Sequence, residues 1–531
     1  SSRFFLDKMY LILDLVSWKH VFESIGLYVL TLVFYRLYLH PLAGFPGPRL
    51  AAVTRYFEAY YDVVCNGQYT FKIAEMHKKY GPIIRISPHE LHISDPSFYE
   101  KLYNHDGPWD KYDWAWDAFG APLSTICTVK HDLHKRRRAV LNPFFSKASV
   151  ASRIDIIQRS VSELCRKVDE FAGSQSSSQI SLGVAISAFT RDVSIEYVIG
   201  KNYHILDAQD LNVDGAVMPQ TSGSLWQRSK HFRWYVFLMS KMPGFVARKT
   251  GGEGVQSFVF FLQDMMKVTM DYYSSLTAAV PGADIPGDTP RTIVHQILGA
   301  QIPAEEKSLR RVFEEVGTIT RGGFETVANT VRMTLYHIYS NREVLHRLRS
   351  ELADARVKNS NNHGSSPDLS LGTLERLPYL TVVLMEGLRL SPGLSTRAQR
   401  IAPDRHLVYE GRVIPAGTPV GMTTLLMHTD PDLYPDPKRF DPERWTDLDV
   451  RRKTEKTYGP FGRGTRMCLG MHLAWAELYM VVAALVQRFD FEFEPTGVYD
   501  VECSSDQFII GTSGRDGLQT FVSRVGIQLL Q

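Results

Sequence analysis

The sequence predicts a mainly α-helical (α+β) fold, and three features support this class. Apolar residues recur with helical spacing in most segments from His131 to the region of Tyr336. Strand-like segments stand before and after this block, at 82–93 and beyond 407. No βαβ unit of the nucleotide-binding kind is recognisable. We therefore expect one large helical domain with small β-sheets.

The composition is that of a globular protein. Hydrophobic residues make up 44% and charged residues 22% of the 531 positions, which is enough apolar material for a large core. The net charge is only +3, so no general basic field predicts a nucleic-acid partner. The five cysteines form no C-x-x-C pair, and their odd number argues against a disulfide framework. A reducing compartment fits this pattern.

Residues 1–40 are predicted to form a membrane anchor, and residues 41–531 the domain that follows it. The run Ser24–Tyr35 holds twelve residues without a charge, and Leu37–Leu39 extends it past one arginine. A perpendicular span needs about 20 apolar residues, so this run is short. The Pro/Gly-rich segment 42–48 is typical of a hinge between an anchor and its domain. A buried helix is the alternative.

The remaining elements follow from local patterns along the chain. Helices are predicted at 69–80, in one long segment 308–340, in a shorter segment ending near Leu390, and at 471–488. Strands are predicted at 82–93 as a hairpin, at 407–415 around a Glu-Gly turn, at 489–494 and at 518–525. Loops are predicted at the Ser-rich segment 173–181, the Pro/Gly-rich segment 281–290 and the polar segment 358–367, the last as a mobile surface loop.

Cys468 stands in the most informative stretch of the sequence. The segment Phe461-Gly-Arg-Gly-Thr-Arg-Met-Cys-Leu-Gly470 leads directly into the predicted helix 471–488, so the cysteine lies at a helix start. Unpaired N–H groups and the helix dipole favour the thiolate there, which is the form that binds iron. Gly464 and Gly470 permit a tight loop close to a flat macrocycle. Arg466 offers a fork of donors to a carboxylate.

The pattern F-x-x-G-x-R-x-C-x-G resembles the haem-binding motif of the cytochrome P-450 family. Phe461, Gly464, Arg466, Cys468 and Gly470 supply its five specified positions. The resemblance implies the helical P-450 fold and a b-type haem whose iron is bound by the Cys468 thiolate. The other four cysteines are expected to be inert.

A second match to the family lies in the long predicted helix 308–340. Gly322 and Gly323 stand in its middle, where each glycine costs about 1 kcal/mol relative to alanine. The family carries G-G-x-E-T in the helix above the haem, and Gly322, Gly323, Glu325 and Thr326 match it. The resemblance implies that Glu325 and Thr326 are catalytic and relay protons. The alternative is that Thr326 bonds back to the Gly322 carbonyl while Glu325 is solvated.

Two further motifs resemble the structural triad of the family. Glu386 and Arg389 match its E-x-x-R pair, and Arg444 matches the arginine of its P-E-R-F motif. Trp445 replaces the usual phenylalanine. The resemblance implies a buried, structural role for the triad.

The basic run His134–Arg138 predicts contacts to the haem propionates. His134 and Arg138 share one helical face and align with the W-x-x-x-R pair of the family, with histidine in place of tryptophan, so the His134 contact is expected to depend on pH. Lys135, Arg136 and Arg137 are expected to face outward, where the family's acidic reductase partners dock. Arg397 matches the third propionate ligand, and Arg400 is the competing choice.

Two aromatic segments suggest where an apolar substrate binds. The segment 108–119 stands where the family has a variable loop over the pocket, although ordinary core packing explains aromatics equally well. The basic and aromatic segment 224–235 is a candidate access region facing lipid. The segments 35–48 and 60–64 look like those of microsomal enzymes of filamentous fungi. That resemblance implies a terpenoid, polyketide or alkaloid substrate from secondary metabolism.

These observations predict a monooxygenase that hydroxylates or epoxidises a hydrophobic small molecule. The haem fold consumes the residues after the anchor, so electrons must come from NADPH through a separate cytochrome reductase, with cytochrome b5 as a further donor. The resemblance also implies the endoplasmic reticulum membrane, with the catalytic domain facing the cytosol. Two alternatives are a haem-thiolate isomerase or dehydratase that needs no external oxygen, and a non-catalytic haem or lipid carrier. The retained acid–alcohol pair counts against the isomerase.

Overall fold

The architecture is mostly helical with small β-sheets, as predicted. The computed structural model describes residues 18–172, 179–209, 211, 213–235, 253–278, 291–363, 369–494, 496–513 and 517–526. The helices in the first half of the chain are α1 (Trp18–Phe34), α2 (Arg49–Val53), α3 (Tyr56–Ala59), α4 (Tyr69–Tyr80), α5 (Tyr99–Leu102), α6 (Asp113–Trp116), α7 (His131–Leu141), α8 (Lys147–Ser152), α9 (Ile154–Ala172), α10 (Leu182–Ile199), α11 (Val213–His231) and α12 (Glu253–Ala278).

The second half of the chain supplies the helices that surround the candidate site. They are α13 (Ile293–Leu298), α14 (Leu309–Gly322), α15 (Glu325–Ser340), α16 (Arg342–His363), α17 (Leu371–Leu374), α18 (Pro378–Leu390), α19 (Thr424–His428), α20 (Leu448–Thr454) and α21 (Met471–Arg488). The predicted helices at 69–80 and 471–488 are confirmed at their exact bounds.

Short strands form small sheets that join distant parts of the sequence. They are β1 (Ile83–Ser87), β2 (Glu90–Ile93), β3 (Ile180–Ser181), β4 (Arg400–Ile401), β5 (Leu407–Tyr409), β6 (Arg412–Ile414), β7 (Pro419–Gly421), β8 (Phe489–Glu492), β9 (Ser505–Gln507), β10 (Ile509–Gly511) and β11 (Gln519–Arg524). The largest sheet has the order β1-β2-β7-β4, in which only the β2–β7 pair is parallel. The others are β3-β11-β8, the hairpin β5-β6 and the hairpin β9-β10.

Helix α15 lies at the centre of the main hydrophobic core. It packs against α10, α18 and α21, whose buried faces are rich in Leu, Val and Ile. A side chain at Gly387 of α18 would overlap the hydroxyl group of Thr334 on α15, so glycine sets how closely these two helices approach. The core therefore fixes α15 relative to α21, the helix that follows Cys468.

The N-terminal helix projects from this core. Trp18–Leu39 forms 22 helical residues, ending in a π-helical turn, and is long and apolar enough to cross a membrane. None of the residues of α1 is buried, which contradicts the alternative of a buried helix. The helix also begins earlier than the uncharged run, because Lys19 and Glu23 pair at 3.9 Å on one of its faces.

Two predictions about the helices are wrong in detail. The segment 308–340 is not one helix, because the chain leaves helical geometry between Gly322 and Glu325. The polar segment 358–367 is not wholly a loop, because α16 continues to His363. The predicted loop 281–290 lies outside the described residues, as does 173–178 of the Ser-rich loop.

Candidate active site

The loop before α21 presents Cys468 at the start of that helix. The backbone N–H of Cys468 donates to the carbonyl oxygen of Phe461 at 2.9 Å, which closes the loop. Gly464 has a φ of +71°, and a Cβ built there would lie 2.5 Å from the carbonyl oxygen of Asn104. Only glycine therefore fits position 464. Nothing lies within 4 Å of a Cβ built on Gly470, so the chain around the cysteine is open on that side.

Cys468 differs from the other cysteines in its accessibility. All five cysteines lie among the described residues, and Cys468 alone has an exposed side chain. The side chain is exposed, but many protein atoms surround the thiol and displace water around it, and this desolvation raises its pKa, while the Gly470 N–H and the charge of Arg138 act in the opposite direction. The expected stabilisation of the thiolate by the helix start is thus present but smaller than the effect of burial.

A group of basic side chains lies beside this loop, and we call it the cationic cluster: Lys111, His134, Arg138, Arg400 and Arg466. The charges of the three arginines lower the pKa of both Lys111 and His134, in addition to the larger effect of burial. Arg138 also donates to the carbonyl oxygen of Cys468 at 3.2 Å. The structure therefore brings His134, Arg138 and Arg466 together with Cys468, and adds Lys111, which no sequence pattern had singled out.

No member of the cationic cluster forms a salt bridge among the described residues, although Asp110 and Glu315 act on Arg466 and Arg138 without direct contact. Arg466 donates only to the backbone carbonyls of Trp109, Thr128 and Val129, at 3.2, 2.6 and 2.8 Å, and its buried Nε has no partner in the described part of the chain. Arg400 donates to the carbonyl oxygen of Gln399 at 3.0 Å. Buried cations are normally paired, so this arrangement is suited to an anionic ligand with several oxygens.

His134 is neutral in this environment. Burial lowers its pKa to about 2, and the charges of Arg466, Lys111, Arg138 and Arg400 act in the same direction. The expected pH sensitivity of His134 near neutrality is therefore not present in the protein alone, since an imidazole with so low a pKa does not titrate there.

Arg397 has other partners than those predicted for it. Its guanidinium donates to Glu90 at 2.6 and 3.1 Å and to Glu58 at 2.9 Å, and all three side chains are buried. Arg397 therefore belongs to a closed ion-pair network, whereas Arg400, the competing choice, belongs to the cationic cluster. The sequence spacing could not separate the two because both arginines follow α18 within ten residues.

The outward-facing basic residues of α7 are fewer than predicted. Lys135 and Arg136 are exposed. Arg137 is buried and donates to both carboxylate oxygens of Glu306, at 2.7 and 2.9 Å, and to Thr128. The prediction for Arg137 is wrong because its helical face turns towards the segment before α14.

The two glycines at the end of α14 have different surroundings. A Cβ on Gly323 would lie 2.5 Å from the hydroxyl of Ser194, so this glycine permits close packing of the break against α10. Gly322 is exposed and a Cβ there would meet nothing within 4 Å. Thr326 donates to the Gly322 carbonyl at 2.9 Å, as the conservative alternative predicted. The hydroxyl of Thr326 therefore bridges the break between α14 and α15.

The alternative in which Thr326 bonds back to Gly322 also predicted a solvated Glu325. That part is wrong, because Glu325 is buried and paired. Its carboxylate pairs with Arg332 and accepts a hydrogen bond from Ser187 at 3.1 Å. Arg332 also donates to Asn329 at 2.7 Å and to the Gly183 carbonyl at 3.2 Å. The Glu325 carboxylate thus points towards α10, and no hydrogen bond joins it to Thr326 among the described residues.

Glu386 is the centre of a buried network on the other side of α21. Both its oxygens accept from Arg389 at 2.8 Å, and Oε1 also accepts from Arg444 at 2.9 Å. Trp445 contributes its indole N–H to Oε2 at 2.9 Å. His428 links this network to the cysteine loop, because the N–H of Gly459 donates to its Nε2 at 3.2 Å.

The two predicted aromatic segments pack against each other. Phe119 from the first segment stacks on Trp226 from the second, with ring centroids 5.8 Å apart, and Trp116 packs against Phe119. Phe508, at the turn between β9 and β10, completes this group with a centroid distance of 4.6 Å to Phe119. Trp226 is buried, so this part of 224–235 does not face lipid, whereas Trp234 is exposed.

Comparison with known proteins agrees with this geometry. The family model for cytochrome P-450 matches residues 50–515. The chain is 37% identical to a tryptophan 6-hydroxylase of Fusarium equiseti, over 89% of this chain and 90% of that protein. It is 36% identical to an N-acetyltryptophan 6-hydroxylase of Emericella nidulans (93% and 96%) and 35% identical to a conidiogenone synthase of Penicillium rubens (94% and 97%).

The family uses haem b bound through a cysteine thiolate, and the residues present fit that group. Cys468 is accessible at a helix start, and the unpaired cations beside it match the two propionate carboxylates of haem. No atom lies within 4 Å of a Cβ built on Gly322 or on Gly470, so neither glycine is packed against the protein. The accessible thiol, the unpaired cations and the matched relatives lead to one conclusion: the chain belongs to the cytochrome P-450 family, as a haem-dependent monooxygenase resembling those of fungal secondary metabolism.

Proposed function

We propose that Cys468 binds the haem iron and that the cationic cluster holds the propionates. The observation that carries this proposal is the juxtaposition of one accessible cysteine with buried and half-buried basic side chains that form no salt bridge among the described residues. Burial raises the pKa of the thiol, and a metal ion bound to the sulfur would favour the thiolate. When bound, haem supplies the activation of dioxygen.

We assign the propionate contacts to Lys111, His134, Arg138, Arg400 and Arg466. His134 is neutral and can donate one N–H, and each arginine can donate two. Arg400 replaces Arg397 in this assignment, because Arg397 already binds Glu58 and Glu90. Phe461, Gly464 and Gly470 shape the loop that carries the cysteine, and Gly322 and Gly323 shape the helix break.

Thr326 and Glu325 are the candidate proton carriers. The Thr326 hydroxyl donates to Gly322, so its oxygen remains free to accept a second hydrogen bond at the helix break. Glu325 must first leave Arg332 or exchange protons through Ser187, since its carboxylate is held by both. Arg332 and Ser187 therefore hold the Glu325 carboxylate in position on the side of α10.

The reaction that this site supports best is hydroxylation or epoxidation of a hydrophobic metabolite. Relatives that are named hydroxylases of tryptophan and N-acetyltryptophan, together with a conidiogenone synthase, suggest a fungal secondary metabolite, including terpenoid, polyketide or alkaloid compounds. Electrons would come from NADPH through a separate reductase, with cytochrome b5 as a further donor. We expect product formation to require reductase, NADPH and dioxygen together.

The same assay separates the competing functions. A haem-thiolate isomerase or dehydratase would form product without reductase or dioxygen. A haem or lipid carrier would form none under any condition. The assay uses a substrate that shifts the haem spin state. Product without reductase or dioxygen, or no product under any condition, would contradict the monooxygenase proposal.

We propose further that residues 1–40 anchor the domain 41–531 to the endoplasmic reticulum membrane, with the domain in the cytosol. The exposed helix Trp18–Leu39 supports this proposal. Exposed Lys135 and Arg136 on α7 would then help to dock an acidic reductase. The double variant Lys135→Glu/Arg136→Glu should slow reductase-supported turnover most at low ionic strength; unchanged rates at all salt concentrations would exclude this docking face.

A further inference from the structure

Four aromatic rings form a continuous cluster at the edge of the candidate site: Trp116, Phe119, Trp226 and Phe508. Trp116 contacts Phe119 and Phe508, each with a centroid distance of 5.6 Å. Phe508 also lies edge-on to Trp226 at 5.3 Å. Because the rings meet at different angles, they present both faces and edges to any apolar partner.

The backbone holds Phe508 in an unfavourable conformation to place its ring in this cluster. Its φ is +70°, which is rare for a bulky aromatic residue. The N–H of Phe508 donates to Asp506 at 2.9 Å, and its carbonyl accepts from the N–H of Ser395 at 3.2 Å. Asp506 is itself fixed by Thr70 and Ser395. The position of the Phe508 ring is therefore determined by the surrounding structure.

The cluster lies between the helix break and the cationic cluster. The β9–β10 hairpin docks on α15, where Asn329 donates to the carbonyl of Ile510 at 3.3 Å, one helical turn after Thr326. On the opposite side, Lys111 places its Nζ 3.2 Å from the centroid of the Trp116 ring. The aromatic cluster is thus connected to α15 near the helix break through the β9–β10 hairpin, and to the cationic cluster through Lys111.

Trp116 carries a hydrogen-bond donor that has no acceptor in the described part of the chain. It is 6% exposed, and its buried indole N–H has no partner among the described residues. By contrast, the indole N–H of Trp226 donates to the carbonyl of Ala115 at 2.9 Å. Buried indole N–H groups usually find an acceptor, because an unmet donor costs about 1–3 kcal/mol.

We propose that Trp116 is a specificity-determining residue that donates to an oxygen of the substrate. The substrate class is an apolar ring system that carries a carbonyl or hydroxyl oxygen, rather than a plain hydrocarbon. The aromatic cluster binds the ring system, and the Trp116 N–H selects the oxygen and fixes the orientation of the ring system. This inference rests on the proposed function, because it places the ligand in the site above the haem.

The test is a spectral titration of the haem-loaded full chain with two matched probes, 9-fluorenone and fluorene, which differ by one carbonyl oxygen. The variants are Trp116→Phe, which keeps an aromatic ring but removes the N–H, and Phe119→Leu, which reduces the aromatic wall without removing a donor. In each variant, the red-shifted Soret band of the reduced carbon monoxide complex serves as the check on haem binding.

We expect the wild type to bind fluorenone more tightly than fluorene. Trp116→Phe should raise the Kd of fluorenone about tenfold and that of fluorene less than about threefold, whereas Phe119→Leu should weaken both probes by similar factors. A wild type that binds neither probe, or binds both equally, would overturn the proposal, as would an equal loss of both probes in Trp116→Phe. A wild type without the red-shifted Soret band would instead contradict the proposed function.

Discussion

The indole N–H of Trp445 donates to Oε2 of Glu386 at 2.9 Å, inside the buried network that supports the cysteine loop. The family motif usually has phenylalanine at this position, which has no donor. In this chain the carboxylate therefore has tryptophan as a partner in addition to Arg389 and Arg444. The substitution is a change of hydrogen bonding as well as of ring size.

Trp445→Phe should lower the free energy of unfolding by about 1.5–3 kcal/mol, because it removes a buried hydrogen bond to a charged acceptor. Urea denaturation of the haem-loaded protein measures this loss. Trp226→Phe is the matched control, since its indole donates over the same 2.9 Å to the neutral Ala115 carbonyl and should cost less. Equal losses in the two variants would show that the charge of Glu386 does not matter.

Arg397→Leu should reduce the stability of the fold, whereas Arg400→Leu should reduce haem binding. The first leaves Glu58 and Glu90 buried with a missing partner, and should destabilise the fold by about 3–5 kcal/mol. The second removes a buried cation without a carboxylate partner among the described residues, so the fold should persist while haem binding weakens.

The melting temperature and the haem-to-protein ratio distinguish these two effects. Arg136→Leu, an exposed change on α7, is the control and should alter neither quantity. If Arg400→Leu kept its full haem content and Arg397→Leu folded without haem, the propionate ligand would be Arg397 and not Arg400.

Thr326→Ala should bind haem normally but waste electrons. The variant loses the hydroxyl that bridges the helix break, and with it a donor for proton delivery. We expect the product formed per NADPH consumed to fall at least about tenfold. Thr326→Ser keeps the hydroxyl and should recover most of the yield. An unchanged yield in the alanine variant would reject the role of Thr326 in proton transfer.

Substitution by alanine should lower the free energy of unfolding more at Gly323 than at the adjacent Gly322. In Gly323→Ala the new methyl group would lie 2.5 Å from the Ser194 hydroxyl, and the resulting strain should cost about 1–3 kcal/mol. Gly322→Ala meets nothing within 4 Å and should change the free energy of unfolding by less than about 1 kcal/mol. Thermal unfolding of both variants is the measurement; similar melting temperatures would mean that α10 yields at the break.

His428 should make the protein sensitive to acid. Burial, followed by the charge of Arg389, lowers its pKa to about 3, well below the value of about 6.5 in an unfolded chain. The unfolded state therefore takes up the proton first. The stability is complete above about pH 6.5 and is lost as the pH falls towards the pKa of the folded state.

His428→Gln should reduce this acid sensitivity. Glutamine cannot titrate but can still accept from the Gly459 N–H, whose bond to His428 is 3.2 Å long. Between pH 6.5 and 5 the wild type should lose about 1.7 kcal/mol in total through this histidine, and the variant should lose less. Parallel pH profiles of the unfolding midpoint would show that His428 is not responsible.

The sequence predicted the parts of the site that depend on local spacing. Three features follow from contacts within a few residues: the start of α21 after Cys468, the position of His134 and Arg138 on one helical face, and the β5–β6 turn at Glu410 and Gly411. Such features are set by helix and turn geometry, which a short segment encodes by itself.

The remaining features depend on partners far apart in the chain. Lys111 joins the cationic cluster only because the segment before α6 folds back over the start of α7, and Arg397 is occupied by Glu58 and Glu90, more than 300 residues earlier. Arg332 pairs with Glu325 while bonding to Ser187 on another helix. No spacing rule reports such contacts, so the sequence left Arg397 and Arg400 as competing choices.

The central claim is that Cys468 binds the haem iron. The most direct measurement is the absorbance spectrum of the reduced carbon monoxide complex of the wild type and of Cys468→Ser, with Cys503→Ser as the control for removing a thiol elsewhere. We expect a red-shifted Soret band in the wild type and in Cys503→Ser, and its loss in Cys468→Ser. A band that persists unchanged in Cys468→Ser would show that Cys468 does not bind the iron.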